Sequence, residues 1–385
     1  MVSSGIKVAL PDINKSDYTF SPNVETNSIL YGMSGITRVG SDLVKEIIAN
    51  RPYKGWEDFV TRIKVNKPQM VNLIKSGAFD SFGERMGIMR AYINSISDTK
   101  KRITLQNMKM LIDFGLIPDE YDLQRRVFNF NKYLKKQKLG EFYGLDEVSF
   151  DFYTAHYSED LLVYAPGETT SNFKIKQVSW DTIYQSEMNV IRPFVQKNAA
   201  DLLEKVNYQL TKDMWEKYCL GTLSKWEMDS VSFYSHEHEL AAAHDYRVED
   251  FFKLSPIPDI ERTVTFKGKT IPLFSLHRIA GTVLDRDKAK KIITLLTTNG
   301  VVTVKIYGGV FEQYDKQISE KGADGHKHII EKSAFTRGNK IIVTGIREED
   351  AFIAKVYKNT PYHRVEIITD ILDDGTILTR SRGEE

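Results

Sequence analysis

ILYGMSGITRVGSDLVKEIIANR, residues 29 to 51, reads as the end of one helix, a tight turn through Val39 and Gly40, and a second helix starting at Ser41. In that second helix Leu43, Ile47 and Ile48 recur at spacings of four and one, which gives it an apolar stripe. A glycine turn between helices lets backbone N–H groups come close to a phosphate, and the positive end of the following helix adds to the attraction. Such a turn holds a nucleic-acid backbone without reading bases. Gly35, Arg38, Val39, Gly40, Ser41 and Lys45 are its candidate contacts. The plainer alternative is a helical hairpin in which Ser41 and Asp42 only cap the helix.

Downstream, VNKPQMVNLIKSGAFDSFG at 65 to 83 repeats the arrangement, with Met70, Leu73 and Ile74 on one helical face and Asn66 and Lys67 at the turn. Charge favours the same end of the chain. The net charge is only +1, but residues 1 to 140 hold 22 Lys+Arg against 14 Asp+Glu, or +8, which leaves 31 against 38, or −7, for the rest. A polyanion is therefore expected to meet the first 140 residues.

The 385 residues, 41% of them hydrophobic, are enough for two to four folded domains. Cys219 is the single cysteine, so no disulfide forms within the chain and a reducing compartment fits. No stretch has signal-peptide or membrane-span character, so a cytoplasmic location and no membrane partner are expected. A helical stretch over 103 to 138 pauses at Gly115 to Pro118 and resumes into a basic run, Arg125, Arg126, Lys132, Lys135, Lys136 and Lys138, among Phe128, Phe130 and Tyr133. Residues 139 to 260 read as a mixed connector with a helix near 196 to 218.

After Pro256 and Pro258 the period becomes two. Strands are expected over 276–284, 291–298 and 301–307, the last two joined by Asn299-Gly300, then a helix over 310–318 and strands over 340–347 and 351–357. That order is the order of an OB-fold barrel. Val302, Val304 and Ile306 alternate with Thr303, Lys305 and Tyr307, so the polar face carries a lysine and a stacking ring suited to single strands. Arg286, Lys288, Lys290 and Lys291 lie in the loop after the first strand, where OB folds contact oligonucleotides, while Arg347, Glu348, Glu349 and Asp350 between the last two strands would repel phosphate.

From GIKVALPDINKSDY (5–18) through the Gly35 to Gly40 turn, WEDFVTRI (56–63) and LIKSGAFDSFG (73–83), the chain resembles the alpha subunit of bacterial DNA polymerase III, the C-family replicase. The resemblance implies the C-terminal part of such a subunit, running from the end of the fingers through a tandem helix-hairpin-helix domain to an OB fold. VSFYSHEHEL at 231 to 240 loosely resembles the phrase that precedes the family's OB fold. Arg38 departs from the pattern, standing where the family places the first glycine of its hairpin, and a left-handed turn there would be strained.

The expected architecture is an α+β multidomain chain: end of fingers at 1–28, tandem helix-hairpin-helix at 29–100, mixed connector at 101–260, OB-fold β-barrel at 261–385. Its expected role is to grip primer-template duplex and single-stranded template during DNA-directed DNA synthesis. The nucleotidyltransferase palm would lie before residue 1, so the catalytic fragment is an expected partner and Mg²⁺ belongs there, with no cofactor in this chain. A sliding clamp is a further partner of such a subunit, although neither Gln106 nor Gln137 begins a clamp peptide of suitable spacing.

Two rivals differ in class: a free-standing single-strand-binding or repair accessory, and a metal nuclease using Glu141, Asp146, Glu147, Asp151, Glu159 and Asp160. Asp285 with Asp287, His236 with His238 and His244, and His326 with His328 lack the spacing of a metal site and read as loop residues.

Overall fold

The computed structural model describes residues 7–245, 247–307, 309–321, 327–358 and 360–382. The chain divides into two compact units, Met1–Met89 with Gly221–Glu385, and Arg90–Leu220.

In the first unit β1 (Lys7–Ala9), β2 (Ser21–Asn23) and β3 (Ser28–Leu30) make a small sheet with β3 in the centre, parallel to β1 and antiparallel to β2. The helices α1 (Ser41–Ala49), α2 (Trp56–Arg62) and α3 (Lys67–Lys75) follow, and α4 (Arg85–Ile96) contains the division point at Met89. The expected stripes hold: Leu43, Ile47, Met70, Leu73 and Ile74 are all buried. The segment before the hairpins belongs to their body, because Ile13 is fully buried and its N–H donates to the Ala78 carbonyl at 2.8 Å. Asn14 exchanges two 2.8 Å hydrogen bonds with the Tyr53 backbone, and Arg51 donates to the carbonyls of Ile13 and Ser16.

The second unit contains α5 (Met108–Asp113), α6 (Asp122–Leu134), β4 (Lys138–Leu139), β5 (Phe142–Leu145), α7 (Glu147–His156), β6 (Leu162–Tyr164), β7 (Phe173–Lys176), α8 (Gln177–Lys197) and α9 (Ala199–Tyr218). Its strands form a four-stranded sheet in the order β4-β5-β7-β6. One core gathers Val127, Phe130, Leu134, Tyr143, Tyr153, Ile175 and Trp180, with the Trp180 indole donating to Asn131 Oδ1 at 3.0 Å. The other joins Met108 and Leu111 to Ile191, Val195, Leu202 and Val206. What reads in sequence as a connector is thus a body of its own up to Leu220.

From Gly221 onward the chain belongs to the first unit again. Helix α10 (Leu223–Val231) packs on α3, and an exposed hairpin of β8 (Ile260–Phe266) and β9 (Lys269–Phe274) precedes the barrel. The barrel uses β10 (His277–Asp287), β11 (Ile292–Thr297), β12 (Gly300–Lys305), then helix α11 (Val310–Asp315), a side hairpin of β13 (Ile318–Lys321) and β14 (Lys327–Glu331), and finally β15 (Lys340–Glu348) and β16 (Ala351–Ala354). Strand order β10-β11-β12-β16-β15, with β15 returning to β10 and β12 parallel to β16, closes the five-stranded barrel of an OB fold. Two further strands, β17 (Val365–Ile371) and β18 (Ile377–Arg380), extend from β15.

Val302, Val304, Ile306, Ile341, Val343 and Phe352 fill the barrel, as the alternation requires. One detail differs from expectation. The β11–β12 turn is Thr298-Asn299, and Gly300 already opens β12, at a φ of 154° and beneath the Phe252 ring, where a Cβ would come within 2.8 Å.

The segment 231–240 joins hairpins to barrel within this unit. Phe233 stacks on Tyr31 with ring centroids 5.5 Å apart, and the Tyr31 hydroxyl donates to the Val231 carbonyl at 2.8 Å. On the barrel side Tyr234 meets Thr282, Lys340 pairs with Glu239 at 2.8 Å, and His238 Nε2 donates to the Leu296 carbonyl at 3.0 Å while its Nδ1 accepts from Leu240 N–H. Burial pushes the His238 imidazole below its ordinary range.

The fixed point of this strap is Glu227, fully buried on α10. Its Oε1 meets Arg85 Nη1 at 3.1 Å and His236 Nδ1 at 2.7 Å, and its Oε2 accepts from the Ser235 and His236 amides at 2.8 and 3.0 Å. His238, half-buried, and His236, exposed but bonded to Glu227, both carry structural hydrogen bonds. His326 lies outside the described residues.

Candidate nucleic-acid interface

The helix expected before the first turn is instead strand β3 and a short 3-10 turn over Met33–Gly35, but the turn into α1 keeps the backbone that its sequence puts in question. Arg38 sits at φ 65°, in the left-handed region, so the turn expected to need glycine is made with arginine, its side chain exposed. Val39 is buried and its N–H closes the turn onto the Ile36 carbonyl at 3.1 Å, while Thr37 N–H donates to the Ser230 carbonyl on α10 at 2.8 Å. Gly35 is needed for a different reason: a Cβ there would fall 2.6 Å from the Tyr31 ring.

Gly40 is the N-cap of α1, at φ −76° and ψ 163°, and no side chain caps the helix. Ser41 and Asp42 occupy the first turn instead of capping it. The first intrahelical bond runs from Val44 N–H to the Gly40 carbonyl at 3.0 Å, leaving the amides of Ser41, Asp42 and Leu43 ahead of it. A Cβ on Gly40 would meet nothing within 4 Å, so the approach to those amides is open. Ser41 and Lys45 are exposed beside them.

The second hairpin is built differently. Asn66 and Gln69 form a reciprocal capping box, each side chain accepting from the other's backbone N–H at 2.9 Å. The side-chain oxygen of Asn66 is thereby committed to α3, and Lys67 stands exposed at its first residue. The two turns are unequal anion sites: the first presents uncapped amides, the second a lysine over a satisfied helix start.

On the barrel, Thr303 and Lys305 are half-buried on the outer side of β12, and Tyr307, two residues beyond the strand, is 63% exposed. The basic group expected after the first strand begins within it, since Arg286 lies in β10, and it is more self-contained than its sequence suggests. Arg286 and Lys288 both reach Asp315 of α11, at 2.5 and 2.9 Å, Lys291 pairs with Glu312, and Lys290 lies 3.6 Å from Asp287. Burial acts to raise the Asp315 carboxyl, but Lys288, Ser333 and Arg286 outweigh it and hold the group below the usual carboxylate range. Asp287 caps the turn by accepting from Lys290 N–H at 2.9 Å.

Arg347 is likewise structural, donating to the carbonyls of Phe251 and Leu254 and lying over the Phe251 ring at 4.5 Å. The acidic group near 146 is not assembled either: Asp146 caps α7 through Ser149. Among the described residues no three His, Cys, Asp or Glu side chains are grouped to hold a metal ion, and no helix is long and apolar enough to cross a membrane.

Arg38 gives a direct test of the turn. Arg38→Gly relieves a left-handed side chain but adds freedom to the unfolded chain, so a net stabilisation of about 0.5–1 kcal/mol is expected in thermal melts. The same variant should flatten the salt dependence of duplex binding by about 0.9 in log–log slope if the guanidinium touches phosphate.

The structure combines a helix-hairpin-helix module and an OB-fold barrel in one chain, and similarity to known proteins agrees with that architecture. A family model described as helix-hairpin-helix motif matches residues 5–88. Over 395 aligned residues, 99% of this chain, the sequence is 40% identical to "Probable DNA polymerase YorL" of Bacillus subtilis and to a "DNA-directed DNA polymerase" of Bacillus phage SPbeta. The chain spans about 30% of the length of each. It is also 36% identical over 92 residues, 22% of this chain and 7% of the relative, to the DNA polymerase III alpha subunit of Thermus aquaticus. The chain is therefore homologous to a segment of these DNA polymerases. The free-standing accessory and the metal nuclease are not favoured.

Proposed function

We infer that this chain is a DNA-gripping portion of a replicative polymerase, with its first hairpin on the duplex backbone and its barrel on the single-stranded template. The observation that carries this reading is the uncapped start of α1 behind Gly40, an open row of amides at the positive end of a helix, next to exposed Arg38 and Lys45. Contacts of that kind are indifferent to base sequence, as a polymerase travelling along its template requires. Nucleotide addition, with Mg²⁺ between paired carboxylates, would be the work of a catalytic palm segment of the same polymerase, which makes that segment the principal partner. A sliding clamp would be a further partner, although the spacing at Gln137 does not suit its peptide and Gln137 donates instead to Asp146 at 2.9 Å.

The test uses this 385-residue chain and labelled oligonucleotides. Tyr307→Ala should weaken single-strand binding by about 1–3 kcal/mol through loss of a stacked base, and Lys305→Ala should reduce the salt slope by about 0.7, with duplex binding nearly unchanged. Wild-type protein that binds neither duplex nor single strand would end this reading. Wild-type behaviour of both variants would remove the barrel from it.

A further inference from the structure

We propose that the second unit has its own contact surface for the polynucleotide backbone, on the outer side of α6 and the strand that follows it. This unit is neutral as a whole, with 18 Lys+Arg and 18 Asp+Glu between residues 90 and 220, but Arg125 to Lys138 contains six of those cations and no carboxylate. Of the unit's twelve other cations, five are paired locally, Lys100 with Asp98, Lys109 with Asp113, Lys174 with Glu168, Lys205 with Asp201 and Lys212 with Glu216, but the unpaired ones are scattered rather than gathered in one stretch. On α6 the pattern stops after Arg125 and Asp122.

Asn129, Lys132 and Tyr133 follow at three, six and seven residues from Arg126, all exposed on one face of α6 opposite buried Val127, Phe130, Asn131 and Leu134, and exposed Lys136 continues the row in the 3-10 turn after the helix. From Arg126 to Lys136 this row runs about 15 Å, the reach of several phosphates along one strand.

Among the described residues none of Arg126, Lys132, Lys135, Lys136 and Lys138 has a carboxylate within 4.0 Å. Three of them lie over aromatic rings, Arg126 over Phe152 at 5.3 Å, Lys132 over Phe128 at 4.6 Å and Lys135 over Tyr184 at 6.0 Å, which steadies the stems and leaves the charge unneutralised. Lys132 stands three and four residues from Lys135 and Lys136, a like-charge spacing that costs helix stability and is maintained here without compensation.

One acid touches the row, Asp146, and its carboxylate already accepts from Tyr133, Gln137 and Ser149. The contrast with the barrel is direct: the basic loop of the OB fold is neutralised by its own α11, and this one is not. Closely spaced, unpaired cations with hydrogen-bonding Asn129 among them fit phosphodiesters, which release counterions when neutralised. The proposal rests on the polymerase reading, since it assigns a second unit to the same DNA.

The experiment measures duplex and single-strand affinity of this 385-residue chain as wild type, Arg126→Gln/Lys132→Gln/Lys136→Gln, and Gly40→Val across a salt series, with circular dichroism as the folding control. All three replaced side chains are exposed, so folding should persist. The triple variant should lose about 2–3 in log–log slope on the nucleic acid it contacts, at 0.9 per phosphate on duplex or 0.7 on single strands, and bind at least tenfold more weakly at low salt. The substrate showing the loss identifies the strand form. An unchanged slope in the triple variant, with Gly40→Val still weakened, overturns this surface alone. No DNA binding by wild type overturns it together with the polymerase reading. Wild-type DNA behaviour combined with triple-variant loss of polyglutamate binding would reassign the row to an acidic protein and overturn it as well.

Discussion

Glu227→Ala should destabilise the unit that contains it by about 3–5 kcal/mol, the cost of breaking a buried ion pair by removing one partner. Four donors converge on this carboxylate: Arg85 at 3.1 Å, the His236 ring at 2.7 Å, and the amides of Ser235 and His236 at 2.8 and 3.0 Å. Alanine removes the acceptor of all four. Arg85 is 4% exposed and would keep only Asp80, through Nε at 3.0 Å, and the more distant Lys75 carbonyl. Burial works against the Arg85 charge, but hydrogen bonds and attraction from Asp80 and Glu227 together raise its pKa above the ordinary value. Glu227→Gln keeps the shape and one acceptor, so a smaller loss of about 1.5–3 kcal/mol is expected.

Urea unfolding followed by fluorescence of buried Trp226, one residue away, reads the effect where it occurs. Amide exchange at Ser235 and His236 should accelerate in parallel. A loss below about 1 kcal/mol for the alanine variant would show that the network is dispensable to the fold.

Gly40→Val should weaken duplex binding by about 10- to 100-fold, the equivalent of one or two amide–phosphate hydrogen bonds at about 1.5 kcal/mol each. The structure makes this a clean substitution. Gly40 lies at φ −76°, an ordinary conformation for valine, and an added Cβ meets nothing within 4 Å, so the branched side chain enters only the space a phosphate would use. The stability cost should stay near 0.5–1 kcal/mol, that of a poor N-cap residue. Gly40→Ser is the informative companion: its hydroxyl can cap α1, stabilising the free protein while competing with phosphate for the same amides. Fluorescence anisotropy on a primer-template at fixed salt, with melting curves alongside, separates binding from folding. Equal duplex affinity of wild type and a folded Gly40→Val variant would take the turn off the DNA surface.

Local pattern was enough wherever a segment's environment follows from its own periodicity. The stripes of α1 and α3, the alternation of β12 and the order of three strands, a helix and two strands could be read directly, because helix and strand periods place side chains on faces without reference to distant residues. The same signal failed over β4 to β7, strands of two to four residues too short to show a period, and over α8, whose helix continues through Pro193.

Function-bearing electrostatics were less legible still, since charges are neutralised by neighbours in space. Arg286 and Asp315 are 29 residues apart, and Arg85 and Glu227 are 142 apart. Sequence alone therefore determined the hairpin, the barrel and the basic end of the chain. Only the tertiary structure decided which cations remain unpaired, that Arg38 takes a glycine's backbone conformation, and that α1 begins without a cap, because each depends on contacts or dihedral angles set by the packed chain.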